Sequence, residues 1–373
     1  MTILQEVIAI DSTSNISNEP LVSYIERLFV DSDVSCHRLQ SGTEGKYNLL
    51  LTKGDPGVAG LTLCGHLDTV PAMRESWKSD PWTLTEKDGN LYARGSCDMK
   101  GFVAIALQAI ERADVKNGSL AVLLTCDEEL GSFGAEHIAR NGLPVQIPKQ
   151  VIIGEPTSLQ VVRLHKGHLS MQVSVEGVPS HTGFPHLGKN AAVAGAQVIE
   201  AIAQLATRHE SVRTEASQYF PELESFPVLA VATIQAGKAI NVVPESCVLG
   251  LGLRLLPDQD QAAAINELEE VISKSCPLPW SLEMLGDNPT MHTSESAEIN
   301  QWLCSHIGQE QSVGVSFGTD GGYLSRAGYE CVLYGPGNIA VAHKPDEYVP
   351  IVEMEECVQT IDAAVNYFCG VPT

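Results

Sequence analysis

The chain is 373 residues long, 44% hydrophobic and only 18% charged, with 46 acidic against 23 basic side chains for a net charge of −23. That length exceeds one ordinary core, so two domains are expected, with a single large α/β unit as the alternative. The acidity argues against nucleic acid and anionic membrane as partners, because both would be repelled, and no window reaches the roughly 18 to 20 apolar residues of a membrane span.

The start, MTILQEVIAIDSTSN, has neither a basic stretch nor a small-residue cleavage site after an apolar run, so no signal peptide is read and a cytoplasmic location is expected. Ten cysteines show no CxxC and no small-scaffold spacing, and read as reduced thiols. Cys97 and Cys126, each just before an acidic residue, are read as small apolar fillers behind a loop.

In chain order, residues 1 to 30 predict a helix with Ile3, Leu4, Val7 and Ile8 on one face, a break at Pro20, and a second helical stretch to about Val30. An α/β pattern follows. YNLLLTKG and LTLCGHLD are short apolar strands, GFVAIALQAIERA is a helix, and AVLLTC and QVIIG are buried strands of a mainly parallel sheet. Near Lys166 the pattern changes to strand, helix, strand, strand, helix, with a possible last strand at WSLEML. This is the order of a split βαβ module, similar to a ferredoxin-like fold. The expected division is a catalytic domain in two parts, residues 1 to 166 and 279 to 373, interrupted by an inserted domain at 167 to 278.

Five metal-type side chains stand in loops that follow probable strands: His66 in LTLCGHLDTVP, Asp98 in YARGSCDMKG, Glu129 in AVLLTCDEELG, Glu155 in VIIGEPT and His343 in IAVAHKPDEY. Loops at the carboxyl ends of strands are where open α/β sheets build sites. Singly, each residue has a bland reading as a cap or salt-bridge partner. Together, two imidazoles and three carboxylates form a mixed N/O set that suits zinc, with cobalt or manganese as substitutes. Asp68, two residues after His66, is expected to accept the other ring N–H and fix the tautomer. Adjacent acids at 128 and 129 allow one to bind metal while Glu128 stays free to move protons.

GHLDTVP, RGSCDMKG, TCDEELG, IIGEPT, PSHTG and YGPGNIAVAHKPDEYV together resemble the dinuclear zinc deacylase and exopeptidase family. That family includes acetylornithine deacetylases, succinyl-diaminopimelate desuccinylases, aminoacylases and carboxypeptidases G, and the last motif is most similar to the first of these. The resemblance runs from about residue 60 to about residue 350 and implies a zinc exopeptidase-like α/β catalytic domain with an α+β lid and dimerisation domain inserted. It implies two divalent metal ions bridged by Asp98, one completed by His66 and Glu155, the other by Glu129 and His343. Glu128 becomes the general base. From the inserted module it implies substrate or transition-state contacts by His181, Asn241 and Arg254, with His181 serving the partner subunit of a homodimer. Arg254 reads as a fork for a substrate carboxylate or as a structural ion-pair member, and Thr319 in FGTDGG as a substrate contact or part of a plain tight turn.

The activity so implied is hydrolysis of the amide bond of a small N-acyl amino acid, N-acetylornithine first. The alternatives are desuccinylation of a succinyl-diaminopimelate-like substrate, carboxypeptidase-type cleavage, or an inactive metal-binding regulatory protein. Lys344 and Pro345 after His343, and the short FGTDGG loop, depart from the pattern of some members and leave the acyl group open.

Overall fold

The computed structural model describes residues 2–57 and 59–370. These fall into two compact units. The first comprises residues up to Leu164, Met291–Val313 and the segment from Thr319 onward; the second comprises His165–Thr290 and Gly314–Gly318.

The first unit is built on a mixed sheet in the order Ser35–Gln40, Tyr47–Gly54, Ser119–Thr125, Gly60–His66, Gln150–Ile153, Glu330–Leu333, Val162–His165, Met291–His292. Its centre is parallel: Gly60–His66 runs parallel to Ser119–Thr125 and to Gln150–Ile153, which runs parallel to Glu330–Leu333. Every residue of Gly60–His66 and Ser119–Thr125 is buried, as expected of parallel strands covered on both faces. Helices Thr2–Ala9, Lys100–Arg112 and Ile351–Cys369 contribute to the core with them. The fold class expected from the sequence is the one observed. Gly154 shows how closely the layers approach, since a Cβ there would lie 1.8 Å from the Phe102 ring. Only glycine lets the strand end pass that helix and deliver Glu155.

The amino-terminal expectation needs correction. The first helix ends at Ala9, the next begins at Glu19, and Pro20 lies in its first turn. Proline starts this helix, where its missing N–H costs nothing. The break instead spans the polar segment between them, whose Ser14 reaches Asp68.

The second unit is an antiparallel sheet in the order Val228–Ala236, Ser246–Arg254, His168–Glu176, Trp280–Asn288. His168–Glu176 alternates half-buried and buried residues, the period-2 signature of a strand with one covered face. Helices Ala191–His209 and Gln261–Ser275 share a core with that face, including Met171, Val173, Val198, Ile202, Leu249 and Ile272. Each helix starts on a side-chain cap: Asn190 accepts from Ala192 and Val193, and Asp260 from Ala263. The boundary expected at 278 lies short of Trp280–Asn288, which hydrogen-bonds along His168–Glu176 and so belongs to this sheet. The outer strand Val228–Ala236 has most of its residues exposed, Ile234 at 58%.

Candidate metal centre

His66 is the last residue of a central strand and is registered there against Thr125 of the neighbouring strand, while the pairing with Gln150–Ile153 on the other side ends at Cys64. Its Nδ1 lies 2.9 Å from the main-chain carbonyl of Asp68. A carbonyl only accepts, so Nδ1 keeps its proton and Nε2 is turned to Asp98 Oδ1 at 2.9 Å. The Asp68 carboxylate does not take the ring N–H as the HxD spacing had suggested; its Oδ1 is 3.8 Å from Nδ1. Past the strand end the chain turns so that the main chain of Asp68, rather than its side chain, meets the ring. The fully buried carboxylate instead accepts from the backbone of the 127–129 loop: Glu128 N to Oδ1 at 3.1 Å and Glu129 N to Oδ2 at 3.3 Å. Ser14 Oγ donates to Oδ2 at 2.8 Å.

Asp98 does not follow a strand of the large sheet, whereas His343 lies, as expected, in the loop after the large-sheet strand Glu330–Leu333. Asp98 lies just before helix Lys100–Arg112, and its peptide bond to Met99 is cis. His343 precedes Tyr348–Pro350, which pairs with Asn90–Tyr92 in a separate small sheet. His343 has φ +61°, a conformation uncommon for non-glycine residues and concentrated at functional sites. Its Nε2 stands 3.2 Å from Asp98 Oδ2 and 2.9 Å from Glu129 Oε2. The two oxygens of Asp98 are thus divided between two imidazoles. Glu128 turns elsewhere, accepting from Ser132 Oγ at 3.4 Å. Glu155 is 4% exposed, and its Oε1 is buried with no hydrogen-bond partner among the described residues.

These residues fit divalent cations. Donor atoms of His66, Asp98 and Glu129 lie within 4.8 Å of one another. The separations of 2.9 to 3.2 Å around Asp98 approach the roughly 3.3 Å between ligand atoms that share a tetrahedral zinc with bonds of about 2.0 Å. The orphaned Glu155 oxygen and the surplus of carboxylates over imidazoles both call for positive charge.

The electrostatics agree. Burial opposes the charged form of His66, yet hydrogen-bonded Asp98, with Glu128 and Asp68 adding to the field, holds its pKa well above the imidazole range. Hydrogen bonds to Asp98 and Glu129 raise that of His343 to about 10. Burial pushes Asp98 up, but the two imidazoles outweigh it and hold the carboxylate below its ordinary value. Burial and neighbouring carboxylates raise Glu128 and Glu155 well above theirs. Burial also pushes the Cys126 thiol up to about 12 and raises that of Cys97, which keeps both neutral.

Thr319 is buried, and its Oγ1 accepts the N–H of Gly321 at 3.0 Å, the arrangement of a tight turn. The other candidate substrate contacts lie in the second unit. There exposed His181 bridges to Val242, Thr182 N donates to exposed Asn241 at 3.0 Å, and half-buried Arg254 donates through Nη1 to the carbonyl of Ser316 at 3.2 Å.

Sequence reasoning passed over the residues that brace the ligand loops. Lys46 Nζ donates to Asp127 at 2.6 Å; both side chains are buried, and Asp127 immediately precedes Glu128. Asp320 accepts from Thr125 at the end of its strand, and Glu347 pairs with Arg94. Asp320 is an isolated charge in the glycine-rich run FGTDGG, but Asp127 and Glu347 each stand beside another acid and carry no such signal.

Peptidase family M20/M25/M40, as a family model, matches residues 62–367. This chain belongs to that family of enzymes. Among curated members of the M20 family, the acetylornithine deacetylase of Myxococcus xanthus is 35% identical over 98% of this chain and 97% of its own length. That of Vibrio vulnificus is 36% identical over 87% and 85%. Solved M20 structures share the fold. The metallo-carboxypeptidase Sso-CP2 from Sulfolobus solfataricus superposes with a TM-score of 0.76 at 18% identity, covering 99% of this chain and 98% of that one. The Bacillus subtilis protein YXEP, a dinuclear metal binding peptidase, gives 0.69 at 12%, covering 99% and 98%.

Proposed function

We infer that this enzyme hydrolyses the amide bond of a small N-acyl amino acid, with N-acetylornithine the first substrate and ornithine and acetate the products. The observation that carries the reading is the division of labour at residues 128 and 129: Glu129 joins Asp98 around His343, while Glu128 is held beside them and is engaged with neither. The substrate rests on the near full-length likeness to relatives named acetylornithine deacetylase.

In this reading His66 and Glu155 would hold one divalent ion and Glu129 and His343 the other, with Asp98 contributing to both. When bound, two such ions, zinc first with cobalt or manganese as substitutes, lower the pKa of water and polarise the scissile carbonyl. Glu128 takes a proton from the attacking water as its oxygen adds to the carbonyl carbon. It returns the proton to the nitrogen as the C–N bond breaks. Asp68 orients the peptides of Glu128 and Glu129, and the carbonyl of Asp68 fixes the His66 ring. A purely regulatory metal protein would have no use for a free carboxylate at 128.

His181, Asn241, Arg254 and Thr319 remain the candidates for substrate contact. Two copies are proposed to pair through the second unit, whose outer strand carries exposed Val228 and Ile234. No helix among the described residues is long and apolar enough to cross a membrane, and all ten thiols are free, which suits a reducing compartment such as the cytoplasm.

A panel of N-acetyl, N-succinyl and dipeptide substrates read by amine release tests the reading. N-acetylornithine or a close N-acetyl amino acid should lead. A tenfold preference in kcat/KM for succinyl substrates, about 1.4 kcal/mol of transition-state discrimination, would overturn it.

A further inference from the structure

Glu347 is 1% exposed and sits immediately before the short strand Tyr348–Pro350. Its two carboxylate oxygens do different things. Oε1 accepts the main-chain N–H groups of Cys97 and Asp98, at 3.0 and 3.1 Å. Oε2 pairs with Nη1 of Arg94, itself 3% exposed. The Arg94 guanidinium is fixed in turn: it lies over the Trp77 ring, 5.2 Å from its centroid, and its Nη2 donates to the carbonyl of Pro71 at 3.4 Å. The main chain completes the grip, with Ala93 N donating to Glu347 O at 3.2 Å and Tyr92 registered against Tyr348.

A capping role does not account for this arrangement. Helix Lys100–Arg112 has Met99 as its N-cap, so the N–H groups of Cys97 and Asp98 lie outside it and are not among the donors that a helix start leaves unpaired. A plain ion-pair staple would not need both peptides either. What the two bonds fix is the backbone of the residue whose side-chain oxygens are shared between His66 and His343.

We propose that Glu347 is a positioning residue for the metal bridge: it locks the Asp98 peptide so that the two carboxylate oxygens stay aimed at opposite halves of the centre, and Arg94 holds Glu347 in place. This rests on the reading of Asp98 as the bridging ligand. A burial of this kind is costly unless it secures something, because two charges leave water to form the pair. Second-sphere bonds to metal ligands are worth about 10- to 100-fold in affinity when removed.

The test compares two double variants with the wild-type chain after metal stripping. Zinc and cobalt affinity is measured by competition with a chromogenic chelator, alongside thermal unfolding of the stripped protein. Arg94→Met with Glu347→Met replaces the pair by apolar chains of similar length and removes the acceptor. Arg94→Gln with Glu347→Gln keeps an oxygen for the two N–H groups and a neutral partner for the amide. The Met pair should fold when stripped and lose tenfold or more in affinity for at least one ion, roughly the second-sphere range, while the Gln pair stays close to wild type. Wild-type affinity for both ions in the Met pair would overturn the proposal, as would a Gln pair as weak as the Met pair. Failure of the stripped Met pair to fold would assign Glu347 to the fold and overturn it equally. A wild-type chain that bound fewer than two ions would instead defeat the two-metal reading itself.

Discussion

Asp68 accepts the main-chain N–H of Glu128 at 3.1 Å through one oxygen and that of Glu129 at 3.3 Å through the other. One buried carboxylate thereby sets the direction of both acids, while His66 relies on its backbone carbonyl. In Asp68→Asn the amide nitrogen would face one of those N–H groups, donor against donor, and the loop must shift. We expect kcat to fall about 10- to 100-fold with a smaller loss of metal affinity. Steady-state kinetics beside chelator competition measures both, and a metal loss that fully accounts for the activity would put Asp68 back in the service of His66.

Glu128→Ala should keep both metals and lose nearly all turnover. The side chain turns toward Ser132 rather than into the His343 cluster, and a positioned base contributes on the order of 10²- to 10⁴-fold. Metal content by elemental analysis, with kinetics on the same preparation, decides it. Loss of metal in step with activity would reverse the roles of 128 and 129.

Lys46 and Asp127 form a buried pair, 8% and 3% exposed, with Lys46 Nζ also donating to the carbonyl of Ser14 at 2.6 Å. Lys46→Met strands a carboxylate in the interior, which costs about 3 to 5 kcal/mol. Adding Asp127→Asn should recover part of that loss in a double-mutant cycle followed by denaturant unfolding. Additive effects of the two changes would show that the pair is not coupled.

The ligand residues were legible because their chemistry is sparse and recurs at loops between apolar runs; His66 at the end of Gly60–His66 and Glu155 just past Gln150–Ile153 are of this kind. Spacing does not say whether the side chain or the carbonyl of Asp68 meets a ring two residues away, because that depends on one backbone rotation. Nor does it pair Arg94 with Glu347, which are brought together only when Tyr348–Pro350 adds to Asn90–Tyr92. Pro20 was misread for a local reason: the same residue breaks a helix interior and suits a first turn.

Burial lowers the pKa of Lys166 to about 8, with Glu224 opposing and Arg254 reinforcing the shift. Its Nζ donates to the carbonyl of Phe226 at 2.8 Å. The folded pKa lies below the unfolded value of 10.5, so between these limits the unfolded chain binds more protons and stability rises with pH. Below about pH 8 both states are protonated and the contribution is flat. The stability of wild type relative to Lys166→Met should therefore climb from about pH 8 toward pH 10, by at most about 1.4 kcal/mol per unit. Urea unfolding across that range checks it; a difference independent of pH would mean that Lys166 stays charged in the fold.

The outer strand Val228–Ala236 pairs on one side only, with Ser246–Arg254. It leaves Ile234 58% exposed. An open apolar edge invites pairing with another chain unless a charge guards it. If two copies associate through this edge, Ile234→Lys should split them, because the ammonium would have to be buried or unpaired at the join. Light scattering on wild type and variant at matched concentration gives the mass directly. Wild type should run as a dimer and the variant as a folded monomer with its metal affinity intact, since His66, Asp98, Glu129, Glu155 and His343 all belong to the other unit. A variant that remains dimeric would move the interface elsewhere on the chain.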